Sequence, residues 1–276
     1  MAPWQSAELE ANGLRLHYTR TGGDKPPLVL AHGFSDDGLC WTPVARALEG
    51  DYDVIMVDAR GHGQSQAAEQ DYNDVDLGND LAGAIAALGL RRPAVLGHSM
   101  GAATALALAG AHLDVPGAIL LEDPPTRWVA QPVGEPADQA WQARMYAWIT
   151  GLKTKTRAEL IAAQHAETPS WSEAELGPWA DSKLRLSLTV LQRGAAPPID
   201  WPALVRGITC PALLITADPA RGAIVTEADA AALQALVPQL RVAHIAGAGH
   251  SIRRDQFDRY MQVVRDFLAE AYRASY

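Results

Sequence analysis

Short apolar runs alternate along this chain with longer segments whose apolar residues recur every three or four positions. The run at residues 28–30 is typical of a buried strand, whereas the spacing of Leu81 and Ile85 is typical of an amphipathic helix. The pattern predicts strands at residues 14–21, 27–31, 53–57, 92–96, 118–121, 212–216 and 242–245. It predicts helices at residues 41–48, 74–88, 102–111, 226–236 and 257–272. Such alternation favours an α/β fold, with a mostly parallel sheet and helices on both faces.

Residues 124–205 depart from this alternation. The interval is helical in pattern and contains six of the eight tryptophans. Thr156 with Glu159 and Ser170 with Glu173 each fit a capping box, which marks the start of a helix. We interpret the interval as an inserted helical cap. The predicted organisation is a first part of the core at residues 1–123, a cap at 124–205 and a second part of the core at 206–276.

Composition narrows the classes of partner. The 276 residues are 48% hydrophobic, enough for a sizeable core, and the net charge of −9 argues against nucleic acid as a partner and against anionic membranes. The two cysteines, Cys40 and Cys210, form no cluster with the spacing of metal ligands, so we expect no metal and no cofactor. No signal peptide or membrane helix is visible in the sequence, which predicts a soluble, cytoplasmic protein. The oligomeric state stays open.

The segment Gly97-His98-Ser99-Met100-Gly101 matches the pattern G-x-S-x-G of a nucleophile elbow. It lies between a predicted strand and a predicted helix, which is the setting that the pattern requires. The two glycines would relieve the crowding of so tight a turn. The amino end of the following helix would favour negative charge near the serine. We therefore predict that Ser99 is a nucleophile.

A serine hydroxyl needs a base, and the base needs an acid that orients it. His250 is the predicted base because it lies in a glycine-rich loop beyond the last predicted strand. Asp218 is the predicted acid because it directly follows the strand at 212–216. Asp123 also follows a strand and is retained as the alternative acid.

Two backbone amides are candidates for the oxyanion hole, which must hold the negative carbonyl oxygen during acyl transfer. One is the N–H of Met100, and the other is the N–H of Phe34 in His32-Gly33-Phe34, directly after the strand at 27–31. The glycine-rich segment at residues 58–65 lacks the features of a phosphate-binding loop, and we interpret it as a turn beside the active-site loops.

These motifs resemble those of α/β-hydrolases with a helical cap, and they occur in the order expected of that family. They are His32-Gly33-Phe34, residues 58–65, Gly97 to Gly101, Asp218-Pro219 and Gly249-His250. The resemblance implies an α/β-hydrolase fold with an eight-stranded sheet, a triad of Ser99, His250 and Asp218, and a pocket between core and cap. Ala217 departs from the pattern, because many relatives have glycine there. Serine at position 99 argues against haloalkane dehalogenases and epoxide hydrolases, which have aspartate there.

We therefore expect a cofactor-independent serine hydrolase, most simply a carboxylic ester hydrolase that cleaves a small or medium, largely apolar ester or lactone through an acyl-enzyme. One alternative is a carbon–carbon bond hydrolase of a dienoic diketone, whose carboxylate would favour an arginine in the pocket. Arg127, Arg144 and Arg185 are the candidates. The other alternative is a ligand receptor with vestigial hydrolase activity. The predicted substrate-binding residues are Phe34, Trp128, Trp141, Met145 and Trp148.

Overall fold

A computed structural model describes residues 3–69, 72–129, 137–192 and 199–274. Within these ranges eight strands form one sheet, in the order β1-β2-β4-β3-β5-β6-β7-β8. The strands are β1 (Gln5–Ala11), β2 (Leu14–Arg20), β3 (Pro27–Ala31), β4 (Asp53–Val57), β5 (Ala94–His98), β6 (Ala118–Glu122), β7 (Ala212–Thr216) and β8 (Leu240–His244). β1 and β2 are antiparallel to their neighbours, and the strands from β4 to β8 are parallel. The predicted α/β-hydrolase fold is confirmed.

The pattern of apolar residues missed the first strand. In β1 the side chains alternate between exposed and partly buried, so the strand has no continuous apolar run. It lies at the edge of the sheet and pairs with β2 through a turn at Asn12 and Gly13, both of which have positive φ. The last strand, β8, begins two residues before the predicted range of 242–245. Its first residue, Leu240, is buried, but the charged Arg241 follows it and is exposed, so no continuous apolar run marks the start of the strand.

Ten α-helices accompany the sheet in the described ranges. They are α1 (Thr42–Leu48), α2 (Asp74–Ala87), α3 (Met100–Ala111), α4 (Ala137–Lys153), α5 (Arg157–Glu167), α6 (Glu173–Arg185), α7 (Trp201–Arg206), α8 (Glu227–Leu236), α9 (Ile252–Asp255) and α10 (Phe257–Ala274). One apolar core packs α2, α3, α7 and α8 against the sheet, through residues such as Ile85 and Leu106. A second core packs α1 and α10 against it, through residues such as Leu48 and Val264. Helices therefore cover both faces, as predicted.

Four of these helices, α4 to α7, lie between β6 and β7 in the chain, and only Arg206 at the end of α7 falls outside the predicted cap of residues 124–205. The capping box of Thr156 and Glu159 is present at the start of α5. The prediction for Ser170 is wrong, because α6 begins at Glu173 with Ser172 as its N-cap. Residues 130–136 and 193–198 of the predicted cap lie outside the described ranges.

The parallel strands end at one edge of the sheet, and the loops that leave this edge contain the predicted site residues. Gly33 and Phe34 follow β3, Ser99 follows β5, and Asp123 follows β6. Ligands of open α/β sheets bind outside the carboxyl ends of the strands. None of the helices in the described ranges has the length and apolar character needed to span a bilayer.

Candidate active site

Ser99 occupies a sharp turn between β5 and α3. Its backbone has φ 51° and ψ −116°, a conformation that is unfavourable for a residue with a side chain. The flanking glycines explain how the turn is tolerated. A Cβ atom on Gly97 would lie 2.2 Å from the carbonyl oxygen of Gly101, and one on Gly101 would lie 2.1 Å from that of Ala31. The elbow therefore holds the Ser99 hydroxyl at the carboxyl edge of the sheet.

The two backbone amides predicted for the oxyanion hole belong to segments that flank Ser99. Met100 is the first residue of α3, so its N–H has no acceptor one helical turn earlier. Gly33 packs directly against the elbow, because a Cβ atom there would lie 2.6 Å from Nδ1 of His98 and 3.3 Å from Cβ of Ser99. The loop that contains Phe34 thus passes beside Ser99.

His250 lies next to the elbow through its contacts with His98. Nε2 of His98 donates a hydrogen bond to the carbonyl oxygen of His250 at 2.9 Å, and the two rings are 4.7 Å apart. Burial holds the pKa of His98 well below its ordinary value, so His98 stays neutral and acts as a hydrogen-bond donor. The loop of His250 is therefore anchored to the residue that precedes Ser99.

The carboxylate that contacts His250 is Asp123. Its Oδ2 lies 2.6 Å from Nδ1 of His250, and its side chain is fully buried. The same carboxylate accepts hydrogen bonds from the backbone amides of Ile224 and Val225 at 2.9–3.1 Å. Since a carboxylate only accepts, Nδ1 carries a proton, and in the neutral imidazole Nε2 therefore has the lone pair that a general base needs.

The assignment of Asp218 as the acid is therefore corrected. Oδ2 of Asp218 accepts from the backbone N–H of Gly247 at 2.8 Å, and Oδ1 lies 3.1 Å from Nε2 of His244. Its side chain is 31% exposed, and these hydrogen bonds lower its pKa. Asp218 fixes the loop that leads to His250 but does not contact the imidazole. Asp123 reaches it instead because its backbone has φ 42°, which turns the side chain away from the path of β6.

A cavity of about 390 Å³ opens beside Ser99 and Met100. Its polar lining includes His62, Tyr72, Asp74 and Arg127. Its apolar lining consists of Phe34, Leu77, Met100, Pro125, Trp141, Val190 and Ile224. The volume lies at the small end of the range of about 300–1,000 Å³ for ligand sites, which suits a small molecule.

Two of the five predicted substrate-binding residues line this cavity, namely Phe34 and Trp141. Met145 packs in the apolar cluster next to them. Trp128 is buried in the main core, where its Nε1 donates to the carbonyl oxygen of Asp229, and Trp148 lines a separate cavity between α4 and α5. The helical spacing placed Trp148 on the same face as Trp141. It could not show that Trp148 is exposed, on the part of α4 that points away from the cavity beside Ser99.

His62 contributes a neutral imidazole to the cavity wall. Its Nδ1 lies 2.9 Å from the carbonyl oxygen of Arg60, so Nδ1 carries the proton. Burial lowers the pKa of His62 to about 3. The segment at residues 58–65 is thus packed beside the active-site loops, with Asp58 accepting from the N–H groups of Gly38 and Gln64.

Arg127 is the charged group that sequence reasoning placed only among three candidates. Its Nε donates to Oδ2 of Asp74 at 3.0 Å, and both residues line the cavity. Arg185 instead pairs with Asp37 at 3.3 Å, and Arg144 is exposed on α4. The described residues include no group of three or more histidine, cysteine, aspartate or glutamate side chains that could hold a metal ion.

Comparison with known proteins shows the family of this chain. N-formylmaleamate deformylase from Pseudomonas putida is 29% identical over 263 residues, which cover 94% of this chain and 95% of that protein. The crystal structure of E-2-(acetamidomethylene)succinate hydrolase superimposes with a TM-score of 0.79 at 21% identity, over 97% of this chain and all of the other. The enol-lactonase from Burkholderia xenovorans LB400 gives a TM-score of 0.72 at 25% identity, over 95% of this chain and all of the other. Residues 28–263 match the model of the alpha/beta hydrolase family, and the chain belongs to that family.

Proposed function

We propose that this α/β-hydrolase is a serine hydrolase in which Ser99 is the nucleophile, His250 the general base and Asp123 the acid that orients it. The observation that carries the proposal is the 2.6 Å contact between His250 and the buried carboxylate of Asp123, in a loop anchored to the elbow of Ser99. The three groups come from three different loops at one edge of the sheet. That convergence is what nucleophilic catalysis by a serine requires.

In the proposed reaction the Ser99 hydroxyl attacks the substrate carbonyl while Nε2 of His250 takes its proton. Asp123 keeps Nδ1 protonated and stabilises the imidazolium that forms. The N–H groups of Phe34 and Met100 hold the oxyanion, aided by the amino end of α3. His250 then protonates the leaving group, and water releases the acyl group by the reverse sequence of proton transfers.

The substrate we propose is a small carboxylate-bearing acyl compound, with an amide or N-formyl group as the first choice of scissile bond. Arg127 supports the proposal that the substrate has a carboxylate. A guanidinium has five N–H donors, and the hydrogen bond from Arg127 to Asp74 uses one of them. The names of the deformylase and the succinate hydrolase both describe amide-type compounds that carry carboxylates. The apolar wall formed by Phe34, Trp141 and Ile224 would hold a short hydrocarbon segment.

An ester or lactone substrate is the second candidate, and it requires no change in mechanism. The enol-lactonase supports it, because that protein shares the fold over all of its length. Esters and amides differ in the leaving group that His250 must protonate, and amines are the poorer leaving groups. Rates on matched amide and ester compounds distinguish the two candidates.

The test is hydrolysis of matched pairs of compounds by the purified protein. Each pair consists of a carboxylate-bearing N-formyl amide, N-acyl amide, ester or lactone and its uncharged methyl ester or carboxamide counterpart. Wild type is expected to favour the anionic member of each pair. Ser99→Ala is expected to lose all turnover that exceeds the residual rate of a site without a nucleophile.

The role of Arg127 is tested with Arg127→Gln, and with Arg144→Gln as a matched control at an exposed position. A hydrogen bond to a charged group contributes about 1.5–3 kcal/mol. Arg127→Gln should therefore lower kcat/KM for the anionic compound by roughly 10- to 100-fold and leave the uncharged counterpart nearly unchanged. Equal losses on both compounds, or a wild-type preference for the uncharged one, would remove the carboxylate from the proposal.

A further inference from the structure

Six charged side chains are buried together behind the active site. They form what we term the buried ion network: Asp36, Glu122, Glu175, Lys183, Arg253 and Arg254, none of which is more than 8% exposed. Three are acidic and three are basic, so the network is neutral as a whole. Burying so many charges is costly, and apolar replacements of such groups are often neutral or stabilising. Stability alone therefore does not account for it.

Asp36 is the carboxylate on which the network converges. Its Oδ1 lies 2.7 Å from Nζ of Lys183, and its Oδ2 lies 2.8 Å from Nη2 of Arg254 and 3.4 Å from Nη2 of Arg253. The three cations hold the pKa of Asp36 well below its usual value in spite of its burial, so the carboxylate is ionised. Asp36 thus forms ion pairs with residues from two distant parts of the chain.

The partners of Asp36 belong to segments that position the proposed catalytic groups. Asp36 itself lies two residues after Phe34, in a turn closed by a hydrogen bond from its own N–H to the carbonyl oxygen of Gly33. Arg253 and Arg254 belong to α9, which begins two residues after His250. The network therefore joins the loop of a proposed oxyanion donor to the segment of the proposed base.

Two further contacts extend the network to the acid and to α6. Nη1 and the backbone N–H of Arg253 contact the two carboxylate oxygens of Glu122 at 3.2 and 3.0 Å, and Glu122 directly precedes Asp123. Nε of Arg254 donates to Glu175 of α6 at 3.1 Å, and Lys183 lies on the same helix. Loss of the Asp36 carboxylate would break its ion pairs with α9 and with Lys183 of α6 at once, while Asp37 would still pair with Arg185 of α6.

We propose that Asp36 is a positioning residue: its carboxylate fixes the loop of Phe34 relative to α9 and α6, so that the oxyanion donor and His250 keep the distance that the reaction at Ser99 requires. This inference rests on the proposed function of Ser99 and His250. It concerns the geometry of their surroundings and does not depend on the identity of the substrate.

The test is the rate at which a small, uncharged fluorophosphonate labels Ser99, measured by intact mass. Phosphonylation needs the nucleophile, the base and the oxyanion donors but not the natural substrate. Asp36→Asn should label at least about tenfold more slowly than wild type, a fraction of the roughly 10²–10³ that outright loss of an oxyanion donor costs. Wild type that is not labelled at Ser99 would instead contradict the proposed function itself.

Asp53→Asn is the matched control for loss of a buried, ion-paired aspartate. Asp53 is 1% exposed, accepts from Nε of Arg20 at 2.8 Å and from the N–H of Gly22 at 3.0 Å, and lies at the start of β4, away from the catalytic edge. It should lose stability in thermal unfolding but label at nearly the wild-type rate. Equal slowing in both variants, or wild-type labelling by folded Asp36→Asn, would overturn the proposal.

Lys183→Met provides a second, milder variant, because it removes one of the contacts of Asp36 and leaves that carboxylate with both arginines. It should slow labelling less than Asp36→Asn does. The double variant should label no more slowly than Asp36→Asn alone, because both changes act through one contact. If Asp36→Asn does not fold, the test rests on Lys183→Met. Labelling of Lys183→Met at the wild-type rate would then overturn the proposal.

Discussion

The imidazole of His250 can act as a base only while its Nδ1 is protonated and its Nε2 is not. Asp123 enforces this tautomer because its carboxylate is buried and also receives two backbone N–H groups, which leave it no freedom to turn away. Asp218 has no such relation to the ring, since its oxygens are used by Gly247 and His244. The two aspartates therefore have separable roles.

At the residue scale we expect Asp123→Asn to lower kcat by roughly 10⁴, because an amide can donate to Nδ1 and stabilise the wrong tautomer. Asp218→Asn should cost less than about tenfold, since its amide oxygen can still accept from Gly247. Both values come from steady-state kinetics on the best compound of the panel. The opposite ranking would return the acid role to Asp218.

The choice between these aspartates was beyond the reach of sequence reasoning for a physical reason. Each follows a strand of the parallel sheet, β6 or β7, so both emerge at the same edge. The direction of the side chain depends on backbone angles such as the φ of 42° at Asp123, which no apolar pattern records. The same limit explains why Arg127 could be named as a candidate but not placed in the cavity.

At the scale of secondary structure, the elbow depends on close contacts between β3, β5 and α3. Gly101→Ala would place a methyl group 2.1 Å from the carbonyl oxygen of Ala31, and a backbone carbonyl cannot move away as a side chain could. We expect this variant to lose several kcal/mol of unfolding free energy or to fail to fold, as overpacked cores do.

Gly151→Ala is the matched control for that prediction. Gly151 also lies in a helix, α4, and a Cβ atom there would meet nothing within 4 Å. The substitution should raise the unfolding free energy by up to about 1 kcal/mol, since glycine is a poor helix former. Thermal unfolding of both variants measures the contrast. A Gly101→Ala protein as stable as wild type would contradict the tight packing of the elbow.

Helices and strands could be predicted wherever their burial left a clear pattern of apolar residues in the sequence. Strands β3, β4, β5, β6 and β7, in which every residue except Pro27 is buried, each contain a continuous apolar run. The elbow was predictable because its glycines are a steric requirement of the turn. β1 was missed because one face is exposed, and the start of α6 was misplaced because Ser170 and Ser172 both resemble N-caps. The pattern of apolar residues thus predicts the presence of a helix or strand better than it predicts where that element begins and ends.

At the scale of the whole molecule, buried histidines couple stability to pH. Burial lowers the pKa values of His32, His62 and His98, with that of His62 at about 3. Each group binds its proton less readily in the folded state than in the unfolded state, so its contribution is complete above about pH 6.5 and is lost as the pH falls. Asp37 acts with the opposite sign, because burial and nearby carboxylates raise its pKa to about 7.

The substitution His62→Gln isolates the contribution of His62 to the pH dependence of the unfolding free energy. The unfolding free energy of wild type should fall more steeply below pH 6.5 than that of His62→Gln, by at most about 1.4 kcal/mol per pH unit. Urea unfolding at pH 7, 6 and 5 measures the difference. His165→Gln, at an exposed position on α5, should keep the wild-type slope. A slope that His62→Gln leaves unchanged would contradict a lowered pKa of His62 in the folded protein.

The central claim is that hydrolysis passes through Ser99. The most direct measurement titrates the protein with a fluorophosphonate, maps the modified peptide by mass spectrometry and follows the remaining hydrolysis of the best panel compound. We expect one adduct per chain, located at Ser99, with activity lost in proportion to the fraction modified and no adduct on Ser99→Ala. An adduct at another serine, or hydrolysis that persists when Ser99 is fully modified, would contradict it.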